Sequence, residues 1–208
     1  MSRKKYLIAI TGGFGSGKSL FSKFLLKKGE VVINSDQIAK ELMTTNPKII
    51  EQIKKLLGSQ AYNSDGTLNI KYISEKIFTD RILNQKLTKI VHPPTIIEIQ
   101  RRAQKEFKRR SRVFVESALV LEAKLENKFD YIILIKSDIA LRLKRVIERD
   151  RITPDEFYRR IQFQIDPNDA EEHSDFVIYN NGTIEELTTR FEFIYRVILK
   201  LTEQKNKK

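Results

Sequence analysis

The sequence contains no cysteine, so disulfides, thiolate metal sites and a cysteine nucleophile are excluded. Its two histidines, His92 and His173, offer no paired spacing for a structural or catalytic zinc. Long hydrophobic runs are also missing. The longest, such as Tyr131 to Ile135, are strand-sized, whereas a membrane helix needs roughly 18 to 20 apolar residues. The basic start MSRKKYLIAITGG loses its apolar character at the glycines, before any small-residue cleavage site, and does not read as a signal peptide. There is no repeat period and no low-complexity block. What is present is a chain of 208 residues, 40% apolar and 32% charged, enough for one compact domain over residues 1–208 with a real core. A cysteine-free, leaderless chain of this kind is expected in the cytoplasm, without a membrane partner.

Lysine and arginine number 39 against 27 acids, giving a net charge of +12. Such a balance attracts polyanions, among them nucleic acids and phosphorylated small molecules. Dense basic spots occur only at residues 101–112, 142–151 and 205–208, and solvated helix faces account for most of the excess. No basic stripe interleaved with aromatics and no nucleic-acid motif is present, so no nucleic-acid partner is expected.

Along the chain, the apolar run Tyr6 to Thr11 predicts a strand, followed by a glycine-rich turn and an amphipathic helix from Ser19 to Lys28. A second strand over Val31 to Asn34 and a helix from Asp36 to Met43 complete the opening of an α/β fold with a parallel sheet. The middle, 46–111, reads as mostly helical, with His92-Pro93-Pro94 expected to interrupt a long helix. Val113 to Val115, Tyr131 to Ile135 and Phe176 to Tyr179 are further strands. Thr153 with Glu156 and Thr183 with Glu186 have capping-box spacing. The tail from Thr202 to Lys208 is polar and expected to fray.

Gly12-Gly13-Phe14-Gly15-Ser16-Gly17-Lys18-Ser19 satisfies G-x-x-x-x-G-K-[ST], with a strand before it and a helix after it. Glycines let successive amides point at phosphate oxygens, and the positive end of the following helix adds to them. Lys18 is placed to reach the β- and γ-phosphates and the Ser19 hydroxyl to ligate Mg²⁺ with ATP. Asp36, at the end of the second strand, suits a general base taking the proton of an acceptor hydroxyl. Asn34-Ser35-Asp36 equally suits an ordinary helix cap. Glu116 ends an apolar strand where a Walker-B-like carboxylate would hold the Mg²⁺ water shell. Arg142, Arg145 and Arg149 share one helix face after the Tyr131 strand, and Arg145 and Arg149 are picked as lid residues acting on the transferring phosphoryl group. The same arginines also suit a solvated face paired with Glu148 and Asp150. These residues fit a kinase for a small acceptor, including a nucleoside monophosphate, and leave a nucleic-acid-stimulated NTPase and a non-catalytic binder open.

Taken as a set, the chain resembles the dephospho-coenzyme A kinase family. The likeness runs from Thr11–Ser19 through Val32-Ile33-Asn34-Ser35-Asp36-Gln37-Ile38-Ala39, Asp65-Gly66-x-Leu68 and His92-Pro93. It continues through Glu122, Arg145-x-x-x-Arg149-Asp150, Arg160-Ile161-x-x-Gln164 and Asp175-Phe176-Val177-Ile178 before Asn180-Asn181-Gly182. The resemblance implies a P-loop NTPase fold, α/β with a five-stranded parallel sheet flanked by helices. It implies a core of 1–45 and 112–201, a helical substrate-binding insertion at about 46–111 and a lid at about 145–165. It also implies phosphorylation of the ribose 3′-hydroxyl of dephospho-CoA by ATP, in a monomer or small homo-oligomer. Carried onto this sequence, Asp36, Lys18 and Arg145 are catalytic. Gly13, Phe14, Gly15, Ser16, Gly17, Lys18, Ser19, Leu20 and Arg149 bind ATP. Thr11, Asp36, His92 and Gln164 bind the acceptor, and Ser19 and, through water, Glu116 hold the metal. Glu116-Ser117-Ala118-Leu119 departs from the family's D-x-P-L.

Overall fold

The computed structural model describes residues 4–204. The tail expected to fray from Thr202 is corrected at its start, because the last helix runs on to Gln204 and Thr202 is buried in it, its hydroxyl donating to the Ile198 carbonyl. The rest of the tail, with its basic cluster, lies outside the described residues, as do the first three positions. Apolar runs become five strands in one parallel sheet. β1 is Tyr6–Thr11, β2 Val32–Asn34, β3 Arg112–Glu116, β4 Tyr131–Lys136 and β5 Phe176–Tyr179, in the order β2-β3-β1-β4-β5. Ile8 of β1 pairs with Phe114 of β3 and Tyr131 of β4, and Leu134 of β4 with Val177 of β5. β1 is buried along its whole length, which explains its unbroken apolar sequence.

Alternation along β1 splits the core in two. Tyr6, Ile8 and Ile10 face helices α1 (Lys18–Lys27) and α9 (Ile184–Gln204), where Phe21 and Phe191 meet edge-to-face at 4.8 Å. Ala9, with Ile132 and Leu134 of β4, faces Val120, Leu121 and Ala170, the last on α8 (Pro167–Glu172). Between β4 and α8 run α6 (Ile139–Asp150) and α7 (Pro154–Ile161). At α7 the Thr153–Glu156 capping box forms in full.

The chain divides into two compact units: one runs to Ile33 and resumes at Ala103, and the other spans Asn34–Arg102. The second contains α2 (Ser35–Thr45), α3 (Pro47–Leu57), α4 (Ile70–Ile77) and most of α5 (Arg81–Glu106). It starts before residue 46 because Met43 of α2, flanked by Ala39 and Leu42, belongs to the same apolar cluster as Ile53, Leu57 and Val91. Asn46 caps α3 by accepting from the Lys48 and Ile49 amides, with Pro47 in the first turn.

The expected interruption at His92-Pro93-Pro94 is corrected: α5 runs 26 residues through both prolines. The reason is packing. Leu87, Val91, Thr95, Ile99 and Ala103 recur every four residues and are all buried, on both sides of the prolines. That continuous stripe offsets the two missing amide donors. The Thr95 hydroxyl donates to the Val91 carbonyl at 2.7 Å within the same turn.

Candidate active site

β1 delivers Thr11, buried, to the point where the chain turns from Gly12 to Gly17. Glycine is required at several positions there, Gly12 and Gly17 among them. Gly12 has φ of 146° and approaches the Ile135 carbonyl too closely for a Cβ. Gly17, at φ 103°, caps α1 from the left-handed region, where a Cβ would strike the Asn180 amide. That Asn180 side chain donates to the Ser16 carbonyl at 2.8 Å and braces the turn from behind. Lys18 folds over the loop, its Nζ donating to the carbonyls of Gly12 at 2.7 Å and Gly13 at 3.1 Å. The Ser19 hydroxyl donates to Glu116 Oε1 at 2.6 Å, so the acid ending β3 sits at the first turn of α1. Ser19 and Glu116 form an all-oxygen donor set of the kind a hard divalent cation takes. The Leu20 side chain packs against the apolar core and its amide donates to the Gly17 carbonyl.

The arginines of α6 divide by what they contact. Arg145 donates to Ser137 Oγ and to the Asn180 carbonyl, both at 3.0 Å, and so holds the asparagine that braces the loop. Arg149 makes a two-point ion pair with the adjacent Asp150, and its guanidinium lies over the Phe14 ring. The hydrogen bonds from Arg149, and its charge with them, hold the Asp150 carboxyl below its ordinary pKa. Arg142, which sequence reasoning placed on the face but did not pick, is the buried one. Its Nε donates to the Phe14 carbonyl at 2.8 Å and an Nη to Gln164 Oε1 at 3.0 Å. Gln164 Oε1 also accepts from the Phe14 amide at 2.9 Å, so Arg142 and Gln164 clamp both polar groups of one loop residue. Burial pulls the Arg142 pKa below the usual guanidinium value.

Beside the loop opens a cleft lined by Thr11, Gly13, Ser16, Glu122, Arg142 and Gln164 among others. Glu122 was visible in the sequence only through the family likeness. One of its oxygens accepts from the Ile165 amide at 3.4 Å and the other is buried without a partner among the described residues. Burial raises its pKa, against the opposing pull of the Lys18 charge. Arg142 had one readable signal, its place in the first turn of the helix after a central strand, at the ligand-binding end of a parallel sheet. Nothing in its own sequence neighbourhood separated it from Arg145.

Asp36 and His92 belong to the second unit. The cap of α2 is Asn34, whose side chain accepts from the Gln37 amide, and Asp36 sits in the first turn. Capping therefore does not account for Asp36. His92, half-buried within α5, has its pKa lowered by desolvation.

A phosphate-binding turn at the end of the central strand of a five-stranded parallel sheet, held by arginines from the following elements, defines the class: this is a P-loop kinase. The family model described as dephospho-CoA kinase matches residues 6–186. The chain belongs to the dephospho-CoA kinase family. It is 31% identical over 209 residues to the dephospho-CoA kinase of Chlorobaculum tepidum, covering 97% of this chain and 99% of that one. Among solved structures it is similar to TT1252 from Thermus thermophilus, with TM-score 0.77, 23% identity and coverage of 93% and 97%. It is also similar to dephospho-CoA kinase from Campylobacter jejuni, with TM-score 0.69, 24% identity and coverage of 97% and 99%. No helix among the described residues is long and apolar enough to cross a membrane.

Proposed function

We propose that the protein transfers the γ-phosphoryl group of ATP to the ribose 3′-hydroxyl of dephospho-CoA, giving CoA and ADP, in the cytoplasm and as a monomer or small homo-oligomer. Family membership over residues 6–186 carries this reading, and the clamped phosphate loop supports it. Gly13 to Leu20 bind the ATP phosphates with their amides, Lys18 neutralises the β- and γ-oxygens, and Arg149 joins it. Arg145 acts on the same phosphates and keeps Asn180 in place. Asp36 accepts the proton of the 3′-hydroxyl as that oxygen attacks the γ-phosphorus in line. Thr11, His92 and Gln164 hold the acceptor; desolvation, which lowers the His92 pKa, favours its uncharged form as a hydrogen-bonding partner.

Ser19 and Glu116 would hold Mg²⁺, Glu116 through water, and their oxygen pair fits that ion. When bound, the ion neutralises charge across the β- and γ-phosphates. No nucleic-acid or membrane partner enters the reaction.

ADP release by the purified protein with Mg²⁺-ATP is the test, comparing dephospho-CoA, nucleoside monophosphates and DNA. Stimulation by dephospho-CoA alone, with CoA as product, is expected. Stimulation by another acceptor keeps the kinase and discards the substrate. For Asp36→Asn, ATP affinity stays near wild type while turnover falls about a hundredfold or more. A fully active variant removes Asp36 from that role.

A further inference from the structure

Three side chains gather on one aromatic ring, that of Phe14, at the tip of the phosphate loop. Phe14 stacks on Phe157 of α7 with centroids 6.0 Å apart and an interplanar angle of 28°. The guanidinium carbon of Arg149 lies 5.9 Å from the Phe14 centroid and that of Arg160 5.2 Å. Arg142 approaches the Phe157 ring at 5.8 Å while bonding the Phe14 carbonyl. A phosphate loop works through its amides, and the motif leaves this position open to any residue. An aromatic side chain here is therefore a choice of this chain, and the arginines show what it contacts.

The π-face of a phenyl ring attracts a guanidinium, and stacking uses the flat face of the group while its N–H donors remain in the plane at the edge. Two like charges over one ring repel; the Asp150 carboxylate, bonded to Arg149 and within electrostatic reach of Arg160, offsets that repulsion. We propose that Phe14 is a positioning residue: its ring is the platform that holds Arg149 and Arg160 beside the phosphate loop, in the nucleotide-free protein and during transfer. The platform fixes two long side chains before the reaction, so their ordering entropy is not lost when the γ-phosphoryl oxygens need neutralising. This rests on the reading of the loop as the ATP site and deepens it.

The test uses the full-length protein with Phe14→Leu, which keeps an apolar side chain of similar bulk without a π-face, and Phe14→Tyr, which restores the face. Melting temperatures confirm that both fold. The ¹⁵N relaxation of the Arg149 and Arg160 Nε–H groups, assigned with Arg149→Lys and Arg160→Lys, is read without nucleotide. Both groups are expected to be ordered in wild type and Phe14→Tyr and mobile in Phe14→Leu. In assays, kcat/KM for ATP falls about tenfold in Phe14→Leu, as lost cation–π contacts from two arginines would give. KM for dephospho-CoA is unchanged and Phe14→Tyr recovers most of the loss. Unchanged arginine order in Phe14→Leu overturns the platform whatever the activity. A Tyr variant as poor as the Leu variant also overturns it, because the ring then only shapes the loop. If wild type releases no ADP with any acceptor, the kinase reading fails and takes the catalytic role of the platform with it. The arginine signals, which need no nucleotide, tell that failure from the first.

Discussion

Glu122 is a carboxyl in a mostly apolar setting between Leu121 and the Ile165 segment, with one oxygen weakly bonded and the other unpartnered. Its raised pKa means that the folded protein binds this proton more tightly than the unfolded chain does. The stability it contributes is therefore complete below the ordinary value of 4.5 and is lost as pH rises through the folded pKa. Glu122→Gln should raise the urea midpoint at neutral pH, and the gain should vanish below pH 4.5. A constant gain at every pH would assign the effect to packing instead. Arg142→Ala removes a buried double donor and should cost about 1–3 kcal/mol through the acceptors left behind, together with weaker ATP binding. Arg142→Lys does not restore it, because a single ammonium cannot reproduce the fork between Phe14 and Gln164. At this scale the sequence was informative about Lys18 and Ser19, whose motif carries its own geometry. It was silent on Arg142 against Arg145. Both lie on one helix face, and only the three-dimensional neighbourhood shows which guanidinium the loop uses.

Strands and helix starts were readable because each rests on local chemistry: unbroken apolar runs for β1 and β4, Asn46-Pro47 for α3, Thr153 with Glu156 for α7. Asn46→Ala removes the acceptor for two amides and should lower stability by about 1 kcal/mol, measured as a shift in denaturant midpoint at constant slope. α5 was misread because proline is a strong local signal and the buried stripe from Leu87 to Ala103 is a distributed one. In a continuous helix each proline still forfeits an amide donor. Pro93→Ala should therefore stabilise the protein, by up to about 3 kcal/mol, whereas at a true helix break it would be neutral or destabilising.

At the scale of the molecule, strand order was not legible. A parallel sheet of order β2-β3-β1-β4-β5 depends on which crossovers pass which face, and no residue encodes that alone. The division at Asn34 and Arg102 was likewise hidden, because the apolar face of α2 looks the same whichever core it joins. Charge, by contrast, is a whole-chain property open to counting. With a net +12, association with ATP should be steered, so the on-rate should fall as ionic strength rises while turnover at saturating ATP stays level. Stopped-flow binding of a fluorescent ATP analogue at several salt concentrations reads this directly.

The sheet has one further consequence, in the order of events at the ribosome. β1 is the centre of the sheet, yet both of its neighbours, β3 and β4, emerge about a hundred residues or more after it. At roughly 5–20 residues per second, the run Tyr6–Thr11 stays without its partners for about 5–20 seconds. For that interval the strand that ends up buried at every position is a nascent edge, while the helices of residues 34–102 can already make contacts among themselves. Slow synthesis or a missing chaperone should therefore appear first as aggregation of chains that stop short of β3.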